Sequence, residues 1–387
     1  MSNSWRGSPT GAPWVGKSDF SRLDQGLLLM KMLALMKYGN KAASTRQRLL
    51  QYREHFSHQG IETEFFPLLD NDYLEQTFRG NAGPIFSILG SYLSRVKLLV
   101  GASGFDLIWV HCENFPYMPG LAERLTVISG KPVVYDFDDA IFHQYDTHSN
   151  PLVRRFLGKK LQPLMRGASL CVCGNSYLKA YADRFSRRTE IVPTVLDTGV
   201  YKPTVEPRGP ARPVTVGWIG SPSTWSFVQP LIPLLERLSQ ELNLIIRVVG
   251  AGRATATHSP FEFLDWSEDE EIVSIQGMDI GIMPLPNEPW ARGKCGYKLI
   301  QYMACGIPVI ASPVGVNSDI VNDGVNGYLA CSEHEWEAAI RRLAASRELR
   351  GNMGAHGRQK IVNEYSLHVH GPRLAALLRE VANDAGA

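Results

Sequence analysis

Residues 278–328 contain a strand, a glycine-rich loop, a helix and a second strand in close succession. The apolar run MDIGIMPL is the first strand, and it ends at Pro284 and Pro286 because proline cannot continue a sheet ladder. The segment KLIQYMA then repeats apolar residues at helical spacing, and IPVIAS is a second buried strand. This order predicts a helix that connects two parallel strands, which restricts the fold to the α/β class.

The rest of the chain alternates strand-like and helix-like segments in two series. The first series contains KMLALMK, a helix over STRQRLLQYREHFSHQG, and then IETEFFPLL, FDLIWVHCE, PVVYDFDDAIF, SLCVCGN and EIVPTVLD. The second series contains VTVGWIG, LNLIIRVVG, FEFLDW, MDIGIMPL and IPVIASP. Each series predicts a Rossmann-like, doubly wound parallel sheet, and such sheets bind ligands at the carboxyl ends of their strands.

A chain of 387 residues is too long for one core of typical size, so we expect two domains. Residues 1–22 are rich in Ser, Gly and Pro and are expected to form a flexible tail. The predicted first domain covers residues 23–197, a linker rich in Pro, Gly and charge covers 198–213, and the second domain covers 214–366. Residues 367–387 are expected to form a C-terminal helix.

The composition argues against several classes of protein. The chain has 40 basic and 38 acidic residues, and a net charge of +2 gives no argument for a nucleic acid partner. The six cysteines include no C-x-x-C pair, and no histidine lies at zinc-finger spacing, so they are expected to be reduced core residues. The apolar run at residues 26–36 is too short to span a membrane and no signal peptide is evident, which predicts a cytoplasmic location.

A cationic glycine loop precedes the predicted helix KLIQYMA. It consists of Arg292, Gly293, Lys294, Cys295 and Gly296. The start of a helix carries partial positive charge, and glycine lets a ligand approach the backbone, so the loop is predicted to bind a phosphate or diphosphate. The alternative is that the glycines only shape a turn and that both cations are solvated.

This block resembles the nucleotide-sugar-binding signature of the family 4 glycosyltransferases, which are retaining enzymes of the GT-B fold. The positions that match the signature are Gly296, Met303, Ala304, Gly306, Pro308, Val309, Ile310, Ala311, Ser312 and Gly315. The resemblance implies two Rossmann-like domains that face a cleft, with the acceptor bound mainly by the first domain and a nucleotide-diphosphate sugar by the second. It also implies that the C-terminal helix packs back on the first domain.

Two positions depart from the family pattern. Where the family usually carries two acidic residues eight apart, this chain has Gly293 and Gln301. The second acid normally holds the ribose hydroxyls of the nucleotide, and a glutamine amide can still donate and accept hydrogen bonds there. Lys298 matches a branch of the family that has K-x-x-E-Y-M-A, so Lys298 and Gln301 are predicted to contact the donor. Glu288 is the acid nearest to the missing first position.

Further donor contacts are predicted on other loops that follow strands. The turn after VTVGWI supplies small and hydroxyl residues that let a diphosphate approach the backbone, namely Gly220, Ser221, Ser223 and Thr224. Arg253 is predicted to add positive charge, because the arginine and lysine common in the family are missing from this turn. The resemblance also places a donor-facing loop after the first strand, which contains Ser44, Arg46 and Arg48.

The predicted catalytic residues follow two strands of the first series. They are Asp136, Asp138, Asp139 and His111. The resemblance implies that the leaving phosphate accepts the proton of the acceptor hydroxyl, so these groups are expected to orient the acceptor or support positive charge on the sugar. The alternative is a structural role, in helix capping or in salt bridges to Arg154 or Arg155.

The same aspartates raise the question of a metal. D-x-D is also the divalent-metal motif of the other large glycosyltransferase fold, GT-A, in which two aspartates hold a metal ion on the donor diphosphate. Because the phosphate-binding block fits the metal-independent fold, we expect no metal and no cofactor.

Residues 153–167 place five basic residues among apolar ones. A helix of this composition suits peripheral contact with an anionic membrane and a lipid-linked acceptor. The alternative is an ordinary amphipathic helix that packs on the sheet with a solvated basic edge.

The predicted function is a retaining glycosyltransferase that uses a nucleotide-sugar donor and a saccharide, lipid-linked or small-molecule acceptor. The product would be a surface polysaccharide, a glycolipid or a glycosylated metabolite. Two alternatives stay open: an epimerase or hydrolase of nucleotide sugars with the same fold, and a non-catalytic protein that only binds the nucleotide sugar.

Overall fold

The computed structural model describes residues 29–73, 85–204, 212–252 and 260–384. The chain divides into two compact units. One unit consists of the residues up to Pro193 together with those from His370 onward, and the other is Thr194–Val369. The predicted tail 1–22 and the predicted donor ligand Arg253 lie outside the described residues.

The first unit contains a six-stranded parallel sheet with the strand order β2-β1-β3-β4-β5-β6. The strands are β1 (Met30–Tyr38), β2 (Ile61–Leu69), β3 (Leu107–His111), β4 (Val133–Phe137), β5 (Leu170–Cys173) and β6 (Thr189–Ile191). Every residue of β3, β4 and β5 is buried, as expected for a parallel sheet that is covered on both faces. Each strand predicted for the first series overlaps an observed strand, although β6 includes only the first two residues of EIVPTVLD.

Helices cover this sheet. Their bounds are Ala43–Arg48, Arg53–His58, Ile85–Val100, Gly120–Val127, His143–Asp146, Pro151–Leu157, Gln162–Gly167, Ser176–Ala182 and the C-terminal Leu367–Asp384. The segment 44–60, predicted as one helix, is divided by a 3-10 turn at Leu50–Tyr52. The division follows Arg48, whose side chain is fixed by a buried partner on β4.

The second unit contains another six-stranded parallel sheet, with the order β12-β11-β10-β7-β8-β9. The strands are β7 (Thr215–Ile219), β8 (Ile245–Val249), β9 (Phe261–Leu264), β10 (Ile280–Met283), β11 (Val309–Ala311) and β12 (Gly327–Leu329). The chain order reverses between β7 and β10. Ligands of such sheets bind beyond the carboxyl ends of the strands at this reversal.

The helices of the second unit bring a helix start to that reversal. Their bounds are Pro222–Trp225, Ile232–Leu242, Glu271–Gln276, Pro289–Arg292, Tyr297–Ala304, Asn317–Ile320, Glu333–Ala345 and Arg347–Glu364. The Tyr297–Ala304 helix packs on the two central strands, β7 and β10, through Tyr302. The Tyr302 hydroxyl accepts a hydrogen bond from the Ile219 N–H on β7 (2.9 Å). A side chain at Gly281 on β10 would collide with the Tyr302 ring, so glycine is required for this close packing.

Candidate active site

Two glycine turns meet beyond the carboxyl ends of β7 and β8. The Gly220 N–H donates to the Val249 carbonyl (3.0 Å), and Gly250 has a left-handed φ of +80°. A side chain at Gly250 would collide with the Gly220 carbonyl oxygen, so the two turns require glycine to lie this close. The predicted donor turn therefore packs closely on the turn after β8.

The hydroxyl residues of the first turn have local partners. Ser221 caps the short Pro222–Trp225 helix in a reciprocal capping box with Thr224. The Ser221 hydroxyl also lies 2.9 Å from the Ser223 hydroxyl. The structure thus brings the predicted residues together, and their observed role is to fix the backbone of the turn.

The loop after β10 leads into the Tyr297–Ala304 helix through Gly296. Gly296 has φ +66°, and a side chain there would collide with Ile320. Gly315, in the loop after β11, has φ +55°, and a Cβ there would lie 2.5 Å from the Arg292 carbonyl oxygen. Glycine at both positions lets the two loops pack directly on each other beside the helix start.

The two predicted cations of this loop have partners that are close to them in sequence. The Arg292 guanidinium donates to Asn287 Oδ1 (2.9 Å), and Lys294 Nζ lies 5.2 Å from the centre of the Trp290 ring. Cys295 and Gly293 are buried.

Lys298 is the cation that the structure places against the glycine turns. Its Cε lies 2.8 Å from the position that a Cβ would occupy on Gly220, and its Nζ lies 5.7 Å from the centre of the Trp218 ring. Lys298 is the second residue of the helix, so its charge lies beside the positive end of the helix dipole. The lysine charge and the helix dipole together favour an anionic ligand at this edge of the sheet.

Gln301 is buried, with 3% of its surface exposed, and its amide donates to Glu271 Oε1 (2.7 Å). Glu271 begins the helix that follows β9 and was not among the predicted site residues. The acidic run SEDEE predicts a helix start and nothing about a site. Glu271 in this run pairs with Gln301, which lies 30 positions away, so no local pattern indicates the contact.

In the first unit, His111 is the last residue of β3 and Asp138 directly follows β4, and the two side chains lie together. His111 Nε2 is 3.5 Å from Asp138 Oδ1 and 3.4 Å from the Cys112 sulfur. Cys112 has φ +63°, which is rare for a residue with a side chain and is typical of functional sites. Asp139 is half-buried beside this group.

The ligand atoms of His111, Cys112 and Asp138 all lie within 4.8 Å of one another, so these three residues could hold a metal ion. Imidazole, thiolate and carboxylate together suit zinc or a similar transition metal rather than magnesium. Burial raises the pKa of the Cys112 thiol well above its ordinary value, which keeps the sulfur protonated unless a cation binds.

Arg48 and Asp136 depart from their predicted roles. The Arg48 guanidinium donates to both carboxylate oxygens of Asp136 (2.9 and 2.7 Å) and to the Val192 carbonyl (2.8 Å). Both side chains are almost fully buried, so the pair joins β4, the residue after β6 and the helix Ala43–Arg48. Neither is open to a donor or an acceptor.

The remaining residues of the predicted donor-facing loop lie near the surface. Arg46 donates to the carbonyls of Asn40 and Lys41 (both 2.9 Å) and so braces the turn after β1. Ser44 is half-buried in the first turn of the adjoining helix.

The basic stretch 153–167 is not one amphipathic helix. It is divided between Pro151–Leu157 and Gln162–Gly167, and Lys160 between them is buried against Glu113 and Glu123 (2.7 and 3.1 Å). Leu152 and Phe156 of the first helix are 62% and 69% exposed. Within the described residues, no helix is long and apolar enough to cross a bilayer.

Known proteins are similar to this chain in both sequence and fold. Residues 213–346 match the family described as glycosyl transferases group 1. Over 317 residues the chain is 24% identical to a phosphatidyl-myo-inositol mannosyltransferase of Propionibacterium freudenreichii subsp. shermanii, and this match covers 78% of the chain and 77% of the relative.

Among solved structures, a sucrose-phosphate synthase of Thermosynechococcus elongatus aligns with a TM-score of 0.68 at 15% identity, over 91% of this chain and 99% of the synthase. HepE of Anabaena, solved in complex with UDP-glucose, aligns with a TM-score of 0.65 at 17% identity, over 90% of this chain and 98% of HepE. The chain therefore has the GT-B fold. With a glycosyl transferases group 1 domain in its second unit, the class that these findings support is a glycosyltransferase.

Proposed function

We propose that this chain is a retaining glycosyltransferase that moves a sugar from a nucleotide-diphosphate sugar to an acceptor hydroxyl. The observation that carries the proposal is Lys298 packed against the Gly220 turn, at the reversal point of the second sheet. A cation, a helix start and close-packed glycine turns are the features that a diphosphate requires. The glycosyl transferases group 1 match covers all of these residues.

In the proposed reaction, the bond between the sugar and the diphosphate breaks while the acceptor oxygen bonds to the same sugar carbon. Negative charge develops on the leaving diphosphate, where Lys298 and the start of the Tyr297–Ala304 helix would stabilise it. The leaving phosphate then takes the proton of the acceptor hydroxyl. The reaction therefore needs no nucleophile from the protein.

The first unit is proposed to supply the acceptor side. His111 and Asp138, at the carboxyl ends of β3 and β4, would orient the acceptor hydroxyl, and Asp139 would add negative charge near the sugar. Asp136 is left out of this role because its carboxylate is already bound by Arg48.

The transfer is proposed to need no metal. A metal site of the D-x-D kind requires both aspartates, and Asp136 is engaged by Arg48. Retained turnover after treatment with a chelator would agree with this. Turnover that is lost on chelation and restored by zinc would point instead to the group of His111, Cys112 and Asp138.

A lipid-linked acceptor at a membrane surface is the acceptor class that we favour over a free saccharide or small molecule. The relative that is 24% identical is named a phosphatidyl-myo-inositol mannosyltransferase, and phosphatidyl-myo-inositol is a phospholipid. In this chain, Leu152 and Phe156 are exposed beside Arg155 and Lys159. Co-sedimentation with anionic vesicles tests the contact. The kind of product, whether a surface polysaccharide, a glycolipid or a glycosylated metabolite, stays a prediction. So does a cytoplasmic location.

The central experiment is a thermal-shift panel of UDP, GDP, dTDP and CDP sugars. A ligand that binds only the folded chain raises the melting temperature, so at least one donor should stabilise the wild type. Lys298→Ala should weaken that binding by roughly tenfold or more, because it removes a charge-assisted contact to phosphate. Lys202→Ala, which changes an exposed lysine of the same unit, should bind like the wild type.

Absence of any shift for the wild type would contradict the proposal. Binding without transfer to any acceptor would favour the non-catalytic alternative, and release of free or epimerised sugar without acceptor would favour the hydrolase or epimerase. A product sugar that keeps its anomeric configuration, observed by NMR, would establish retention.

A further inference from the structure

Three neutral side chains from three parts of the second unit donate hydrogen bonds to the Glu271 carboxylate. The Gln301 amide donates to Oε1 (2.7 Å), the Tyr201 hydroxyl donates to the same oxygen, and the Trp266 indole N–H donates to Oε2 (2.6 Å). Burial, together with Tyr297 and Glu271, raises the pKa of Tyr201, so its hydroxyl keeps the proton that it donates. The position of this carboxylate is therefore fixed from several directions.

The arrangement leaves the carboxylate with capacity for a ligand. A carboxylate has about four acceptor positions, and the three donors leave roughly one of them unused, on Oε2. Glu271 is half-buried, and within the described residues it forms no salt bridge with a cation. A fixed anion that is bound only by neutral donors is suited to accept a hydrogen bond from a hydroxyl.

This carboxylate lies next to the proposed diphosphate site. The Cβ of Trp266 lies 3.1 Å from the position that a Cβ would occupy on Gly250, and Gly250 packs on the Gly220 carbonyl. Lys298 also contacts Gly220, and it is one helical turn before Gln301. A continuous series of contacts thus runs from Lys298 through the glycine turns and Trp266 to Glu271.

Lys298 and the glycine turns offer a cation and backbone N–H groups, and Trp266 and Glu271 next to them offer an aromatic ring and a carboxylate acceptor. A nucleoside diphosphate carries the three matching groups, which are phosphates, ribose hydroxyls and a flat base. Hydroxyls donate to a carboxylate, and an indole that is 37% exposed offers a face on which a base can stack.

We propose that Glu271 accepts a hydrogen bond from a ribose hydroxyl of the donor nucleotide, and that Gln301 is a positioning residue that holds Glu271 in place. This inference rests on the proposed function, because it takes the ligand to be a nucleotide sugar. In this chain the ribose-binding acid would then stand on the helix after β9, while position 301 holds the amide partner.

The test compares a nucleoside diphosphate from the panel with its 2′-deoxy and 3′-deoxy analogues by isothermal titration calorimetry. The wild type should prefer the ribonucleotide over one analogue by roughly 10- to 100-fold, the range expected for one hydrogen bond to a charged group. Glu271→Gln should lose most of this preference. Glu270→Gln, which changes the neighbouring exposed acid, should keep it.

An exchange variant separates a binding role from a structural one. Glu271→Gln combined with Gln301→Glu restores one acid and one amide in reversed positions, and it should recover part of the preference for the ribonucleotide. If Glu271→Gln lowers the melting temperature but leaves the preference unchanged, Glu271 is structural and the inference is wrong. Failure of the wild type to bind any nucleotide would instead overturn the proposed function and this inference with it.

Discussion

The buried charges of the first unit are matched to partners that are far apart in sequence. Glu113 is buried and accepts hydrogen bonds from Lys37 and Lys160 (both 2.7 Å) and from the Tyr145 hydroxyl (2.6 Å). Burial works to raise the pKa of Glu113, but the two lysines outweigh it and hold the pKa below its ordinary value. The carboxylate therefore stays charged and joins β1, β3 and the segment after Pro151–Leu157.

This network should make stability depend on pH in acid. Because the pKa of Glu113 is lower in the folded chain, the unfolded chain takes up its proton first as pH falls. The stabilisation is complete above about pH 5 and is lost as pH falls through the folded pKa. We expect the free energy of unfolding, measured by urea denaturation, to decrease between about pH 5 and pH 3, and Glu113→Gln to reduce that slope.

Glu123 provides a control with the opposite sign. Burial raises its pKa, so its contribution is greatest at low pH and is lost as pH rises. Glu123→Gln should therefore not reduce the acid slope. An acid slope in Glu113→Gln equal to that of the wild type would contradict the role given to Glu113.

Single residues of the site were predictable only where the signal is local. Gly296 was predicted from the helix start beside it, and Lys298 from the nearby match to K-x-x-E-Y-M-A. The partners of Arg48 and Glu271 lie 88 and 30 positions away, so no local pattern pairs them. Arg48 was predicted to face the donor because the resemblance places a donor-facing loop after the first strand, and its buried pairing with Asp136 gives it a structural role instead.

At the scale of elements, glycines decide how closely the loops of the second sheet approach one another. Gly220, Gly250, Gly296 and Gly315 lie in loops after four different strands, and each lacks room for a side chain. Three of them also have positive φ. The close packing of these loops, more than any one side chain, shapes the candidate phosphate site.

Gly296→Ala should therefore damage both folding and binding. The left-handed φ and the collision with Ile320 predict a loss of roughly 1–3 kcal/mol in the free energy of unfolding, measured by chemical denaturation. Donor binding in the thermal-shift panel should weaken with it. Gly351→Ala, inside the Arg347–Glu364 helix and with open space around it, should instead stabilise by about 0.5–1 kcal/mol. Equal stability changes in the two variants would contradict this account.

Strands and helices were predicted correctly where apolar runs are long. They were missed where contacts between distant segments determine the local structure. IETEFFPLL coincides with β2 because its apolar and β-branched residues favour a strand locally. β12, three residues that begin with Gly327, was missed because it is a strand only through pairing with β11. The break at Lys160 was missed as well, since it depends on burial against Glu113.

At the scale of the whole molecule, the C-terminal helix belongs to both units. Leu367–Asp384 begins in the second unit, and from His370 onward it is counted with the first. Its contacts there include Arg379 to the Gln59 carbonyl (2.8 Å) and Glu380 to Arg188 (2.8 Å). The chain thus returns to the unit in which it started.

The stability of the first unit should therefore depend on residues at the far end of the chain. Leu378 is fully buried in the C-terminal helix, so Leu378→Ala should lower the free energy of unfolding by about 2–5 kcal/mol. Hydrogen exchange should speed up in β1 and β2 while β7 and β10 keep their protection. Leu377→Ala, the same substitution at a half-buried neighbour, should have a smaller effect. If exchange in β1 and β2 stays unchanged in Leu378→Ala, the helix adds nothing to the first unit, and a truncation before His370 should then fold equally well.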